Sequence, residues 1–283
     1  MKLNQEQLRD QHEQEQDHGL ELSEPEAQEA QERSSATVKV VYEAVRREGE
    51  EELKRTSSAL WWSGLAAGLS MGFSLMIQGV LRHGLPDTPW RHLVAGLGYS
   101  AGFVVVILGR QQLFTENTLT PILPLLRRKS WSSLLNVGRL WAVVLIANLA
   151  GCTIIAWLLA CTEAFPADVR DSFVASAREA TEMPFAIALL RGIFAGWLMA
   201  LLVWLLPFAE HARFFVIVMM TWMISICGFT HIVAGSVETI FLTSGGIHSW
   251  QQAVGGYIVP VLIGNIAGGV SLVAALNHAQ VVT

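Results

Sequence analysis

The sequence predicts an all-α membrane protein: six transmembrane helices in two inverted three-helix repeats, with the second and fifth helices broken. Three observations predict it. Of the 283 residues, 52% are hydrophobic and only 15% charged, whereas soluble domains carry about 25% charged residues. Residues 1–57 hold 15 Asp and Glu against 8 Lys and Arg, and residues 58–283 hold 9 against 11. The long body therefore has few ions with which to face water. That body also divides into six apolar segments, at 58–81, 92–126, 136–160, 184–207, 213–244 and 253–276, each near the ~20 residues needed to span a bilayer. The third observation is an internal similarity between its halves.

Residues 1–36 are rich in Gln and Glu and poor in large apolar side chains, which predicts a disordered acidic tail. No basic start followed by an apolar core is visible, so no cleaved signal peptide is expected. Over 37–57, Val38, Val41, Tyr42, Val45 and Leu53 recur at near-helical spacing among charges, predicting an amphipathic helix, either against the membrane face or solvated with no lipid contact. Residues 58–278 form the transmembrane domain. Lys and Arg set its orientation. With the N-terminus inside, Arg46, Arg47, Lys54, Arg55, Arg127, Arg128, Lys129, Arg139 and Arg213 fall on inner flanks, against Arg82, Arg91, Arg170 and Arg178 outside. Both termini are thus predicted to be cytoplasmic.

The second and fifth segments are too long for one straight crossing, and each carries a polar interruption. In the fifth, His231 stands among apolar and small residues, with Gly228 and Gly235 on either side. Broken backbone survives in lipid only where it faces protein or water, and an ionisable group beside it marks a functional site. The halves match in three places: Gly64-Leu-Ala-Ala-Gly68 with Gly192-Ile-Phe-Ala-Gly196, Phe114-Thr115 with Phe229-Thr230, and Asn148-Leu-Ala-Gly151 with Asn265-Ile-Ala-Gly268. Three segments per half is an odd number, so the halves lie in opposite orientation, and paired broken helices point to a midplane pathway. This register sets Glu116 opposite His231.

Cys152, Cys161 and Cys227 fit no metal pattern and read as small core residues. Trp61, Trp62, Trp90, Trp131, Trp141, Trp222 and Trp250 mostly fall near segment ends, as interfacial anchors do. No nucleotide-binding loop is present, and His231 has no nucleophile or ligand set beside it. An enzyme is not expected, nor a cofactor, a metal or a nucleic-acid partner.

Leu113-Phe-Thr-Glu-Asn-Thr118, Thr230-His-Ile-Val-Ala234, Arg191-Gly-Ile193 and Pro260-Val-Leu-Ile-Gly-Asn-Ile-Ala-Gly-Gly269 resemble the formate/nitrite transporter family and, within it, an inner-membrane branch. The resemblance covers about residues 37–278. It implies an aquaporin-like fold, a homopentamer in the bacterial inner membrane with one pore per protomer, and passage of a small monovalent anion or its weak acid, linked to protons. Carried over by motif, Leu113, Phe114 and Thr115 line the inner constriction, and His231 is the central histidine. Tyr99, Phe103 and Ile224 fall at the outer constriction, and Asn265 falls on the asparagine of the sixth helix.

Apolar constrictions exclude hydrated ions but let through an acid that sheds its charge, and a histidine can exchange the proton. Several positions depart from the family pattern. Thr230 stands where formate-type members carry an acid beside the histidine, Gly196 and Gly235 replace asparagines, and Ala180 replaces an outer lysine. Glu116 is an added acid. Glu116 and Thr230 are the possible partners of His231: Glu116 either supplies the acid absent at Thr230 by pairing with the ring, or faces the inner vestibule or caps at Thr118. Arg191 and Glu238 are expected to pair inside the bundle. The alternative function is a non-conducting membrane scaffold or sensor of the same fold, acting through the acidic tail.

Overall fold

The computed structural model describes residues 37–275, together with Ser23 and Ala279. The chain divides into two units, Met1–Thr37 and Val38–Thr283. The acidic tail expected over 1–36 lies outside the described residues apart from Ser23.

Helix α1, Val38–Lys54, buries Tyr42, Val45, Arg46 and Gly49. Its apolar stripe packs on Leu119, Ile122, Leu123, Val137 and Val203. Of the stripe read from sequence, Tyr42 and Val45 are covered by protein and Val38 stays exposed. Polar ties hold the helix as well. Arg139 donates to the Leu53 and Arg55 carbonyls at 3.0 and 3.1 Å, and Arg128 pairs with Glu50 at 2.8 Å. Arg46 and Arg47 donate to Glu43 and hold its carboxyl down at about 2.

Among the described residues, five helical spans are long and apolar enough to cross a membrane. The first joins α2, Ser57–Ser70, to α3, Gly72–Gly84, through Met71. The others are α4, Arg91–Leu108; α6, Trp131–Cys161; α8, Phe185–Leu205, prolonged by a turn to Phe208; and Gln252–Ser271. A short helix α5, Ile122–Arg128, follows the break after α4. In the last span π-type turns flank α11, Val259–Ala267. The fifth predicted segment is two shorter helices: α9, Arg213–Ile226, and α10, Ile232–Ser244. Every residue of α10 from Ile232 to Leu242 is buried, which is what an apolar helix enclosed on all sides requires.

The sequence reading missed α7, Ala167–Thr181, which lies between the third and fourth apolar segments. Asp168, Arg170, Asp171, Arg178 and Glu179 dominate its composition. Yet Phe173 and Ala177, one turn apart, are fully buried, and Phe173 meets Phe165 and Phe241 edge-on at 5.1 and 6.3 Å. That (i, i+4) pair was the available signal.

Candidate functional site

The two breaks are built from one backbone device. At the end of α4, the Gln111 N–H bonds the Val106 carbonyl at 2.9 Å and the Arg110 N–H bonds Ile107 at 3.2 Å. At the end of α9, the Phe229 N–H bonds Ile224 at 2.9 Å and the Gly228 N–H bonds Ser225 at 3.1 Å. These are paired Schellman ends, which need a left-handed residue just past the helix. Gly228 has φ 63° and Arg110 has φ 51°.

Beyond each end an asparagine from another helix takes the freed backbone. Asn148 on α6 accepts from the Phe114 N–H at 2.9 Å and donates to the Gly64 and Gln112 carbonyls, both at 2.8 Å. Asn265 on α11 accepts from the Ile232 N–H at 2.8 Å and donates to Gly192 at 2.8 Å and Thr230 at 2.9 Å. The glycines explain the approach: a Cβ on Gly68 would collide with the Asn148 carbonyl, and one on Gly196 with that of Asn265. Matching bond for bond makes Gln112 the counterpart of Thr230 and Phe114 that of Ile232. Leu113 therefore stands opposite His231. The Phe-Thr match in the sequence was three residues out of register, and the position it gave to Glu116 is corrected.

His231 is the N-cap of α10, and its Nδ1 accepts the Ala234 N–H at 3.2 Å. A nitrogen that accepts a backbone N–H carries no hydrogen, so the ring proton sits on Nε2. Nε2 lies 2.8 Å from Thr115 Oγ1, so the ring donates and the threonine hydroxyl keeps its own hydrogen to give. Thr115 and His231 are both at 0% exposure. Phe103 meets the imidazole edge-on at 4.9 Å, and Tyr99 lies 5.3 Å from Phe103. Leu113, Phe114 and Ile224 are buried, with Phe114 edge-on to Trp141 at 5.9 Å. The predicted residues thus collect around the two breaks, Thr115 and Phe103 directly on the ring.

The two predicted histidine partners are elsewhere. Both ring nitrogens are occupied by Thr115 and Ala234, and Thr230 donates instead to the Ala188 carbonyl at 2.8 Å. Glu116 lines a cavity of about 540 Å³ with Glu52, Gln112, Arg110 and Arg213, the vestibule position. A one-residue step along the loop turns the carboxyl away from the ring. Nor do Arg191 and Glu238 pair: among the described residues no ion pair joins them, and the Arg191 guanidinium lies over Gly228. Asn148 was read from sequence only as part of a repeat match, and Tyr257 was not singled out at all.

An all-helical bundle of apolar spans, with two interrupted helices meeting at a buried histidine and threonine, defines a multi-pass membrane protein of the transport class. The chain belongs to the formate/nitrite transporter family, whose model matches residues 39–279. It is 41% identical over 241 residues to inner membrane protein YfdC of Escherichia coli (strain K12), covering 85% of this chain and 78% of that one. Among solved structures it is similar to an FNT family ion channel, with a TM-score of 0.73 at 21% identity over 86% of this chain and 99% of that chain. A pentameric formate channel with formate bound gives a TM-score of 0.67 at 21% identity over 80% and 98%.

Proposed function

We propose that this protein is a channel or secondary transporter for a small monovalent anion or its weak acid, of the formate or nitrite kind, with His231 at the centre of the pathway. In this reading each protomer crosses the bacterial inner membrane six times in two inverted repeats, with both termini cytoplasmic, and five copies assemble. The matched hydrogen bonds of Asn148 and Asn265 support the repeat. The pentamer and the compartment rest on the relatives.

The observation that carries the reading is the 2.8 Å contact between Thr115 Oγ1 and His231 Nε2, where the two breaks meet. A desolvated anion loses hydration worth many kcal/mol unless it is neutralised or given donors. Past the apolar Leu113 and Phe114, the Thr115 hydroxyl offers its hydrogen to an oxygen of the substrate. When a proton from water has made the ring an imidazolium, its Nε2 proton can follow through Thr115, so the ring ends neutral and the substrate passes the aromatic wall of Phe103 as the uncharged acid. In the neutral ring the N-cap bond from Ala234 to Nδ1 fixes the imidazole toward Thr115.

The test is stopped-flow uptake of formate, nitrite, acetate, lactate and hydrosulfide into proteoliposomes, from mildly acid to mildly alkaline pH. His231→Asn is run beside the wild type. Loss of at least about a hundredfold in flux, the lower range of a positioned proton donor, is the expected result. Unchanged flux with an unchanged pH profile sinks the reading.

A further inference from the structure

On α10 the residues at 231, 235 and 238 share one face. Glu238 is 3% exposed, and among the described residues its carboxyl has no hydrogen bond or ion pair. No charged side chain from any packed helix acts on it. The titratable groups that face it are Tyr99 from α4 and Tyr257 from the turn before α11, both within reach of its charge. Those two hydroxyls, on residues 5% and 2% exposed, likewise have no hydrogen-bond partner among the described residues. Cys152 belongs to the same region but is committed to the Val233 carbonyl.

Gly235 shows what this face is built for. A Cβ there would collide with the Tyr257 hydroxyl, so the glycine seats that hydroxyl on the helix between His231 and Glu238. Tyr99 packs at a tilt against Phe103, which meets the imidazole edge-on. Three polar side chains from three elements therefore converge about two helical turns beyond His231, on the side away from the cavity of Glu52 and Glu116. An acid and two phenols that take no hydrogen-bond partner among the described residues at this depth mark a functional site, and their hydrogens suit a small ligand with oxygen acceptors.

We propose that Glu238, Tyr99 and Tyr257 form a second substrate subsite, at which the Glu238 carboxyl exchanges a proton with a small oxyacid anion. The inference rests on the reading that the pathway passes His231. An anion entering from this side accepts hydrogen bonds from the two phenols. The carboxyl O–H of Glu238 breaks, an O–H forms on the substrate oxygen, and the neutral acid moves on past Phe103. The carboxylate left behind takes a proton from water on the side of entry; in the opposite direction each step reverses. The protein then holds two proton-exchange stations in series, with the aromatic ring between them.

The experiment uses Glu238→Gln and Glu238→Asp in proteoliposomes, with formate uptake measured against pH on the side of entry. Uptake by Glu238→Gln should fall by at least about a hundredfold at neutral pH. It should approach wild type at acid pH, where the substrate arrives already protonated, and Glu238→Asp should recover part of the neutral-pH flux. A Glu238→Gln profile parallel to wild type would overturn the proposal and leave the acid a structural group.

Infrared difference spectra of the wild type with and without nitrite, a probe with no carboxyl of its own, separate the subsite from transport. A protonated-carboxyl band that responds to nitrite and is missing from Glu238→Gln supports the subsite, even if no tested acid is transported and the transport reading fails. Absence of such a band overturns it. Should Glu238→Gln fail to fold, Tyr257→Phe serves in its place: a shifted nitrite response supports the subsite and an unaltered one counts against it.

Discussion

The break after α4 and the break after α9 have the same backbone and different chemistry. Each ends a helix in a Schellman turn, and each hands one N–H and one carbonyl of its loop to an asparagine seated against a glycine. At the equivalent central position one carries Leu113 and the other His231. One continues as a single 3₁₀ turn, Glu116–Thr118, beside a charged cavity, and the other as the fully buried α10. The scaffold problem, satisfying opened backbone where no water reaches it, has one solution used twice. The titratable ring stands on one side only, and the other half supplies Thr115 as its hydrogen-bond partner.

The largest test of this comparison is of its shared part. Asn148→Ala and Asn265→Ala should each cost about 3 kcal/mol, since each strands a buried N–H and a buried carbonyl. Thermal unfolding in detergent should place the two within about 1 kcal/mol of each other. One variant at wild-type stability would show that the breaks are not equivalent.

The next test is of the difference. His231→Leu, which makes the second break resemble the first, removes the cap on Ala234 and the bond to Thr115. It should cost about 2 kcal/mol and lower uptake at neutral pH to the level of His231→Asn. Thr115→Val keeps the shape and removes only the ring's partner, for about 1 kcal/mol and a smaller loss of flux.

The left-handed positions sharpen the comparison further. Arg110→Gly relieves a side chain held at φ 51° and should stabilise by about 1 kcal/mol. Gly228→Ala should lose a similar amount and push against the Arg191 guanidinium, 3.2 Å from the new Cβ.

The smallest effect is on α1, which joins the first break through the 2.7 Å bond from Gln112 to Glu52. Burial pushes the Glu52 carboxyl above the usual range, against the opposing pull of Arg55 and the Gln112 bond. The folded state therefore holds this proton more tightly than the unfolded chain. The docking of α1 is favoured below that range and weakens as pH rises through it. Hydrogen-exchange protection of α1, corrected for intrinsic rates, should fall across this window in the wild type and stay level in Glu52→Gln.

Much of this was legible in the sequence because lipid imposes it. Apolar runs and scarce charge follow from the bilayer, and the two interruptions stand out against them. His231, Thr115, Leu113, Phe114 and Asn265 were named from motifs and Tyr99, Phe103 and Ile224 from the family resemblance; the structure sets Thr115 and Phe103 against the ring. The register was not legible. Phe114-Thr115 and Phe229-Thr230 look alike as letters, but backbone bonding decides equivalence, and Asn148 and Asn265 set it three residues away. Helix α7 escaped because five charged residues, four of them exposed, hid the buried pair Phe173 and Ala177.

By itself the sequence determined what local composition and the solvent dictate: a multi-pass helical body, two broken helices, and an ionisable side chain placed at one break. Only the tertiary structure decided which groups meet. Thr115 lies 116 residues from His231, Tyr257 comes from another helix to rest on Gly235, and Glu116 turns to the cavity although one residue separates it from Thr115. Such pairings depend on where helices cross and which way a loop carbonyl must point to be satisfied. A string of letters does not carry that information until the chain is packed.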